Sequence, residues 1–389
     1  MAVPQLKPGT RIGPYRIIKP LGWGGMAHVF RAELLRPVAR FRVGEHVAIK
    51  DLRDHLFSAE GALQRIQREV DAGRMWHPNV VETIAFDALL CDSRLHLIIA
   101  MAVPGEGTLD AAIQRSVLDE EAALVVARQV LLGLDALHQR GFVHRDIKPP
   151  NILVLLRQGR PVRALIMDFG LAFPISDHTV NDWNHFGTVP YMAPELLSSD
   201  RPTPAADLYS LGVTLVEMVC GLALESAFEN IDQAEAEISQ LAPDCSRAFC
   251  TFVAHLTQRT PGDRPSGAVE AGMMADACLY DLRGMQALRV DRLEDADRSF
   301  TCAVRRYQKL GCVERLAELY AYRANIASAL GARHRSSLLR ESAHRCAMRW
   351  DDIRRRRPAR DGSWLRTALQ RALTLKLRRP RADQRLSAG

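Results

Sequence analysis

The sequence lacks long uncharged apolar stretches, which limits the classes of protein it can encode. The longest apolar run near its middle, residues 95–104, is half of the ~20 residues needed to cross a bilayer. The first ten residues, MAVPQLKPGT, have no apolar segment of the kind found in signal peptides. We therefore expect a water-soluble, cytoplasmic protein.

Cysteine is present without a pattern. None of the eight cysteines forms a CxxC pair or is interleaved with histidines at zinc-ligand spacing. Hydrophobic residues make up 47% of the chain, charged residues 25% and aromatic residues 6%, which are ordinary values for a globular protein. We expect reduced, mostly buried thiols in a chain of 389 residues, enough for two or three domains of roughly 150 residues.

The excess of positive charge is confined to the C-terminal end. Residues 350–389 contain 12 Lys and Arg against 4 Asp and Glu, a net charge of +8. Because the whole chain carries +7, residues 1–349 carry −1. The basic character therefore belongs to a tail, and nucleic acid is not an expected partner of the body.

The hydrophobic pattern changes from strand-like to helical along the chain. Residues 11–103 alternate turn signals with short apolar runs, which predicts a mainly antiparallel sheet interrupted by one helix over 59–76. Pro104 and Gly105 break the chain. Beyond them, residues 120–140 predict a strong amphipathic helix ended by Gly141. We expect a small β lobe, a hinge and a larger α lobe.

Two motifs in the first lobe suit phosphate binding. The segment LGWGGMAHV at 21–29 is rich in glycine, which lets the backbone N–H groups approach phosphate oxygens. An ordinary glycine-rich hairpin would look much the same. The strand VAIK ends in Lys50, and a glutamate at position 69 on the following helix can compensate its charge. A solvated strand lysine is the alternative.

Two further motifs carry acidic and amide groups in the second lobe. HRDIKPPN at 144–151 places Asp146 and Asn151 five residues apart, so that one can accept a hydroxyl proton while the other holds a metal ion. Asp168 begins the DFG segment after a short strand, and its carboxylate suits Mg²⁺. The segment GTVPYMAPE follows at 187–195.

Taken together, these residues resemble the eukaryotic-type protein kinase family. Seven motifs occur in the order typical of that family across 11–275, the last two being DLYSLG at 207–212 and GDRP at 262–265. The resemblance implies the α+β two-lobed protein kinase fold, with an N-lobe over about 11–103 and a C-lobe over about 104–275. Lys148 and Thr188 look like the serine/threonine branch, and the GGM form of the glycine loop is similar to bacterial members.

The resemblance also implies roles in nucleotide binding. Gly22 and Gly24 would cover the phosphates of ATP, Lys50 would anchor them, and Glu69 would position Lys50. Glu69 is one residue closer to the following His-Pro pair than is usual in the family. The remaining nucleotide-binding positions implied by the resemblance are Val29, Ala48, Met101 and Val103.

The same resemblance assigns the chemical step and the metal. Asp146 would orient and deprotonate the substrate hydroxyl, and Lys148 would steady the transferring phosphoryl group. Asn151 and Asp168 would hold Mg²⁺. The function implied is transfer of the γ-phosphate of ATP to Ser/Thr hydroxyls of protein substrates.

Other positions are implied to be structural or regulatory. Glu195 should pair with Arg264, and Asp207 should brace the catalytic loop. Aligning Pro104-Gly105 with the end of the hinge puts Ala100 at the rear of the adenine pocket. The arginine before the catalytic aspartate often senses a phosphate on the activation segment, for which the acceptors here would be Ser176 and Thr179, unless these are merely turn residues.

The C-terminal part reads as helical. Residues 276–350 carry small and aromatic residues placed as in a tetratricopeptide-like pair of helices, although a plain helical bundle fits equally well. Either could bind a protein partner. The tail, 351–389, contains RRRR and then a basic amphipathic pattern with leucine and alanine on one face, suited to an acidic protein or an anionic membrane, or to no partner if disordered.

Two other functions stay open from the sequence. A pseudokinase scaffold would keep the fold without transferring phosphate, but the intact Lys50, Asp146, Asn151 and Asp168 argue against it. A small-molecule phosphotransferase would have a related fold, but the YMAPE segment and the Glu195 and Arg264 pair are typical of the lobe that receives protein substrates.

Overall fold

The structure is a computed structural model that describes residues 6–23, 27–52, 62–92, 94–102, 107–175, 188–198, 201–222, 228–356 and 372. The chain divides into two compact units. One comprises 1–229 with 256–268, and the other comprises 230–255 with 269–389. Among the described residues, no helix combines the length and the apolar character needed to span a membrane.

A six-stranded antiparallel sheet forms the beginning of the first unit. Its strands lie in the order β1-β2-β3-β4-β6-β5. The predicted antiparallel sheet is thus confirmed. The strands are β1 Arg11–Ile12, β2 Tyr15–Trp23, β3 Ala27–Leu34, β4 His46–Leu52, β5 Thr83–Cys91 and β6 Arg94–Ala102.

Helix α1, Ala62–Gly73, lies between β4 and β5 in the chain. It ends three residues before the predicted end at Trp76, and residues 59–61 lie outside the described residues. Glycine is a poor helix former, and a Cβ at Gly73 would lie 2.1 Å from Thr83 Oγ1, so this position serves close packing against β5. Trp76 is 74% exposed and offers no buried contact that would extend the helix.

The rest of the first unit is mainly helical. Helix α3 confirms the prediction for 120–140: Asp119 Oδ1 accepts the Ala122 N–H at 2.8 Å at its start, and Gly141 follows its end with φ +81°. Two small sheets have the orders β10-β9-β7 and β11-β8. The elements are β7 Gly107–Thr108, α2 Leu109–Arg115, α3 Glu120–Gln139, β8 Phe142–Val143, β9 Ile152–Arg157, β10 Arg160–Ile166, β11 Phe173–Pro174, α4 Pro194–Leu197 and α5 Pro204–Cys220.

The second unit contains helices throughout its described residues, which confirms the helical prediction for 276–350. A Cβ at Gly284 would lie 2.4 Å from the Phe300 ring, so the helices that carry these two residues approach each other closely. The Phe300 ring stacks on the Tyr322 ring, with 5.7 Å between their centroids. The tetratricopeptide-like assignment and the boundaries at 275 and 350 stay predictions. The helices are α6 Ile231–Leu241, α7 Arg247–Leu256, α8 Ala268–Arg289, α9 Leu293–Lys309, α10 Val313–Ala329 and α11 Arg333–Arg356.

The cysteines agree with the sequence prediction only in part. All eight are free thiols, as expected. Only Cys250 and Cys278 are buried, so the expectation that most are buried is wrong. The other six are half-buried.

Candidate active site

The pairing of β3, β4 and β6 brings four of the predicted nucleotide-binding residues onto one face of the sheet. Val29 lies opposite Lys50, and Ala48 lies opposite Met101. Residues directly opposite each other point to the same face, and residues two apart along a strand do so as well. Val29, Ala48, Lys50 and Met101 therefore share one face.

Ala100 points to the other face of the sheet, so the prediction that it guards the rear of the adenine pocket is wrong. It lies opposite Ile49, and both are fully buried in the core cluster that also holds Ile98. Met101 takes the cleft-side position instead and packs against the cluster containing Ile66 and Val70 of α1. Counting back from Pro104-Gly105 misplaced the position by one residue, and one residue reverses the face in a strand.

Lys50, Glu69 and Asp168 form one charged cluster. Lys50 Nζ lies 2.5 Å from Glu69 Oε1 and 2.7 Å from Asp168 Oδ1. Burial alone would lower the pKa of Lys50, but the two carboxylates raise it above its ordinary value. The Lys50 ammonium in turn lowers the pKa of Asp168. Lys50 therefore carries a fixed positive charge. Glu69 reaches Lys50 even though it is one residue closer to the following His-Pro pair than is usual in the family.

The DFG segment leaves Asp168 accessible while its neighbours are packed. The Asp168 side chain is 44% exposed, whereas those of Lys50 and Glu69 are 8% and 9% exposed. Phe169 is buried and lies 5.3 Å from the His144 ring. A Cβ at Gly170 would lie 3.3 Å from both Asp168 Oδ1 and Glu69 Oε2, so this position must be very small. The segment thus presents a carboxylate to the cleft from a fixed backbone.

Asp146 lies at the centre of a second polar cluster. Its Oδ2 accepts Asn151 Nδ2 at 2.7 Å and pairs with Lys148 Nζ at 2.8 Å. Lys148 Nζ also donates to Thr188 Oγ1 at 2.5 Å, and that hydroxyl lies 3.4 Å from Asp146 Oδ1. A carboxylate, an amide, an ammonium and a hydroxyl therefore meet in this loop. The contact of Thr188 was missed from the sequence, where Thr188 served only as a marker of the serine/threonine branch.

Asp207 of α5 holds the backbone of this loop, as predicted. Its two carboxylate oxygens accept the N–H groups of His144 at 2.9 Å and Arg145 at 2.8 Å. The same carboxylate pairs with His138 Nε2 at 2.8 Å. Asp207 is fully buried, so these contacts hold the loop rather than meet a substrate.

Glu195 and Arg264 form the predicted pair. Arg264 Nη1 donates to Glu195 Oε1 at 2.7 Å and Nη2 to Oε2 at 2.8 Å, a bidentate arrangement with both side chains buried. The guanidinium also donates to the carbonyls of Gln258 and Ala205. The pair therefore fixes α4, the short helix that contains Glu195.

Of the remaining predicted positions, the structure describes Gly22, which lies in β2 opposite Val29. Gly24 and Val103 lie outside the described residues, as do the phosphate acceptors suggested at Ser176 and Thr179. The roles given to all site residues therefore stay predictions, but Lys50, Glu69, Asp146, Lys148, Asn151 and Asp168 are described in two compact clusters.

Comparison with known proteins agrees with this geometry. Residues 15–277 match the protein kinase domain family, and the chain belongs to that family. Serine/threonine-protein kinase PknE of Mycobacterium tuberculosis H37Rv is 34% identical over 284 residues, which cover 71% of this chain and 48% of that protein. The probable serine/threonine-protein kinase PknB of Lactococcus lactis is 29% identical over 293 residues, which cover 72% of this chain and 44% of that protein. The chain thus spans about half the length of the curated relatives it matches.

A solved structure agrees on the fold. The PknI kinase domain of Mycobacterium tuberculosis matches 70% of this chain and all of that chain, with a TM-score of 0.54 and 23% identity. At this identity, the similarity concerns the fold alone. The chain has the α+β protein kinase fold, followed by additional helices.

Proposed function

We propose that this chain is a serine/threonine protein kinase that transfers the γ-phosphate of ATP to hydroxyl groups of protein substrates. The observation that carries the proposal is the cluster of Asp146, Lys148 and Asn151 with the Thr188 hydroxyl. The charged cluster around Lys50 supports it, because an ammonium fixed by two carboxylates is suited to anchoring nucleotide phosphates. The names of the two relatives are consistent with this reading.

The residues present fit a Mg²⁺ ion. Asp168 offers an exposed carboxylate, and Asn151 uses its Nδ2 to donate to Asp146, which leaves its amide oxygen as a ligand. Mg²⁺ is usually bound by only one or two oxygen ligands from the protein, and water and phosphate oxygens complete its coordination shell. When bound, the ion would offset the charge on the β- and γ-phosphates.

Asp146 would receive the proton of the attacking hydroxyl. The Thr188 hydroxyl lies within reach of both Asp146 and Lys148, so the site already accommodates an aliphatic hydroxyl beside the carboxylate. Lys148 would donate to the transferring phosphoryl group and balance its charge. This combination favours serine and threonine substrates.

Regulation through the activation segment is part of the proposal. The guanidinium groups of Arg68 and Arg145 both lie over the Phe173 ring, at 5.6 and 5.8 Å from its centroid. Arg145 Nε is buried and has no hydrogen-bond partner among the described residues. A phosphate on Ser176 or Thr179 would supply one, and autophosphorylation would be the simplest source. The proposed location is the cytoplasm.

Phosphate transfer from radiolabelled ATP to casein tests the function. With Mg²⁺ we expect labelled phosphoserine and phosphothreonine, and a loss of about 10²-fold or more in Asp146→Asn and Asp168→Ala. Asp295→Asn, a comparable change at a surface site, is the control and should retain activity. Inactive wild-type protein that still binds ATP with Mg²⁺ would indicate a scaffold instead, and labelled phosphotyrosine alone would overturn the substrate class.

A further inference from the structure

Ala372, in the basic tail, lies against helices of the second unit. It is fully buried and packs with Ala321 of α10 and Ala343 of α11, with Tyr322 beside them. The side-chain amide of Asn325, itself buried, donates to the carbonyl of Ala372. The tail therefore touches a defined surface, which we call the alanine seat: Ala321, Asn325 and Ala343.

The chemistry of the alanine seat suits a backbone rather than a large side chain. Ala321 and Asn325 are four residues apart on α10, so they lie on the same face of that helix. Alanines on α10 and α11 let another chain segment approach closely, and the amide of Asn325 recognises a carbonyl group. A segment with a small residue at the point of contact fits this surface, and Ala372 is such a residue.

The spacing along the chain agrees with a tail that returns along α11. Ala343 precedes Arg357 by 14 residues, and Ala372 follows it by 15. A chain that reverses near Arg357-Pro358 would thus bring these two alanines opposite each other, and proline disfavours continuation of a helix at that point. The apolar residues nearest Ala372 in the sequence recur at helical spacing: Leu365, Ala368, Leu369, Leu373 and Leu377.

We propose that the alanine seat is a docking site for the chain's own basic tail, which binds through its apolar face at Ala372. An acidic protein or an anionic membrane that uses the same apolar face has to displace the tail from Asn325 first. The alanine seat thereby competes with any external partner for the apolar face of the tail.

Limited trypsin digestion of the 389-residue chain tests this proposal. The bonds after Arg366 and Lys376 flank Ala372, whereas the bond after Arg385 lies near the C-terminus. Cleavage rates from mass spectrometry are divided by those of a synthetic peptide with the sequence of 360–389, which removes the intrinsic preferences of trypsin. We expect the two flanking bonds to be protected by about tenfold or more relative to the bond after Arg385.

Two matched variants make the test specific. Ala372→Glu places a charge in the alanine seat and should abolish the protection, because a buried carboxylate without a partner is costly. Ala382→Glu makes the same change ten residues further on and should retain it. Asn325→Ala, which removes the donor without touching the tail, should also reduce the protection.

The proposal fails if the flanking bonds are cut in the wild type as fast as in the peptide, or if Ala372→Glu leaves the protection unchanged. Protection that increases with protein concentration would assign the tail to a second copy, which also overturns docking within one chain. Phosphate transfer to casein is measured in parallel, so failure of the docking proposal is distinct from failure of the proposed function.

Discussion

Asp207 holds Arg145 in a left-handed backbone conformation. Arg145 has φ +67°, and its N–H donates to Asp207 Oδ1 at 2.8 Å. A residue other than glycine in this region stores roughly 1–3 kcal/mol of strain and persists only when its surroundings enforce it. A buried carboxylate on α5 therefore sets the path of the chain one residue before Asp146.

Replacing Asp207 should affect both stability and activity. Asp207→Ala leaves the N–H groups of His144 and Arg145 without their carboxylate, and a buried donor left unpaired costs about 1–3 kcal/mol. We expect the free energy of unfolding to fall by at least about 2 kcal/mol and phosphate transfer to fall with it, measured by urea unfolding and by labelled ATP. Asp295→Ala, at an exposed ion pair, should cost less than about 1 kcal/mol. An Asp207→Ala enzyme with unchanged stability would contradict the bracing role.

Acid stability should report on the same carboxylate. Burial opposes ionisation of Asp207, but the hydrogen bonds from His138 and the His144 N–H keep its pKa below the ordinary value. Since the pKa is lower in the folded protein, the stabilisation is complete above the unfolded value of about 3.9 and is lost as the pH falls through the folded value. Below about pH 4, the wild type should lose stability more steeply than Asp207→Asn. Parallel curves of unfolding free energy against pH would argue against this.

Gly170 offers a test of the charged cluster that does not remove a charge. In Gly170→Ala the new methyl group would press on Asp168 Oδ1 and Glu69 Oε2, displacing the groups that should align the nucleotide. We expect kcat for casein phosphorylation to fall by about tenfold or more, because small displacements of positioning groups strongly reduce rates.

The matched control for that variant is Gly272→Ala in α8, where a Cβ meets no atom within 4 Å. There the added methyl group should raise stability by up to about 1 kcal/mol, since alanine is the better helix former, and should leave kcat unchanged. Equal effects of the two variants on kcat would refute the tight fit at Gly170.

The register of β6 predicts which residue limits the size of ATP-competitive inhibitors. Met101→Ala should increase the affinity for inhibitors with bulky substituents, because Met101 shares the face of Lys50 and Ala48. Ala100→Gly should leave that affinity unchanged and only lower stability, since Ala100 lies in the core on the opposite face. Inhibitor titrations of the two variants decide between the faces. A gain for Ala100→Gly alone would contradict the register.

Much of the active site could be predicted because its motifs are short and their order is distinctive. Asp146 and Asn151 are five residues apart, so a local loop suffices to bring them together. Lys50 and Asp168 are 118 residues apart, and their direct contact was not predicted, because the family resemblance gave Lys50 to the phosphates and Asp168 to the metal. The resemblance also gave the pairing of Glu195 with Arg264.

Other features depend on contacts that no local pattern reveals. The face of Ala100 depends on the pairing register with β4, and a shift of one residue reverses it. The end of α1 at Gly73 reflects close packing against Thr83, which lies on the next strand. Thr188 reaches Lys148 across 40 residues, and its hydroxyl gave no signal of that contact in the sequence.

The position of Ala372 has a practical consequence for the design of expression variants. Truncation after Arg356 coincides with the C-terminal end of α11. It would nevertheless expose Ala321 and Ala343 and remove the carbonyl of Ala372 that Asn325 binds. Such a truncated chain should self-associate more readily than the intact one, because the newly exposed apolar surface can be buried against a second copy. An affinity tag after Gly389 leaves 17 residues between itself and this contact and is the safer choice.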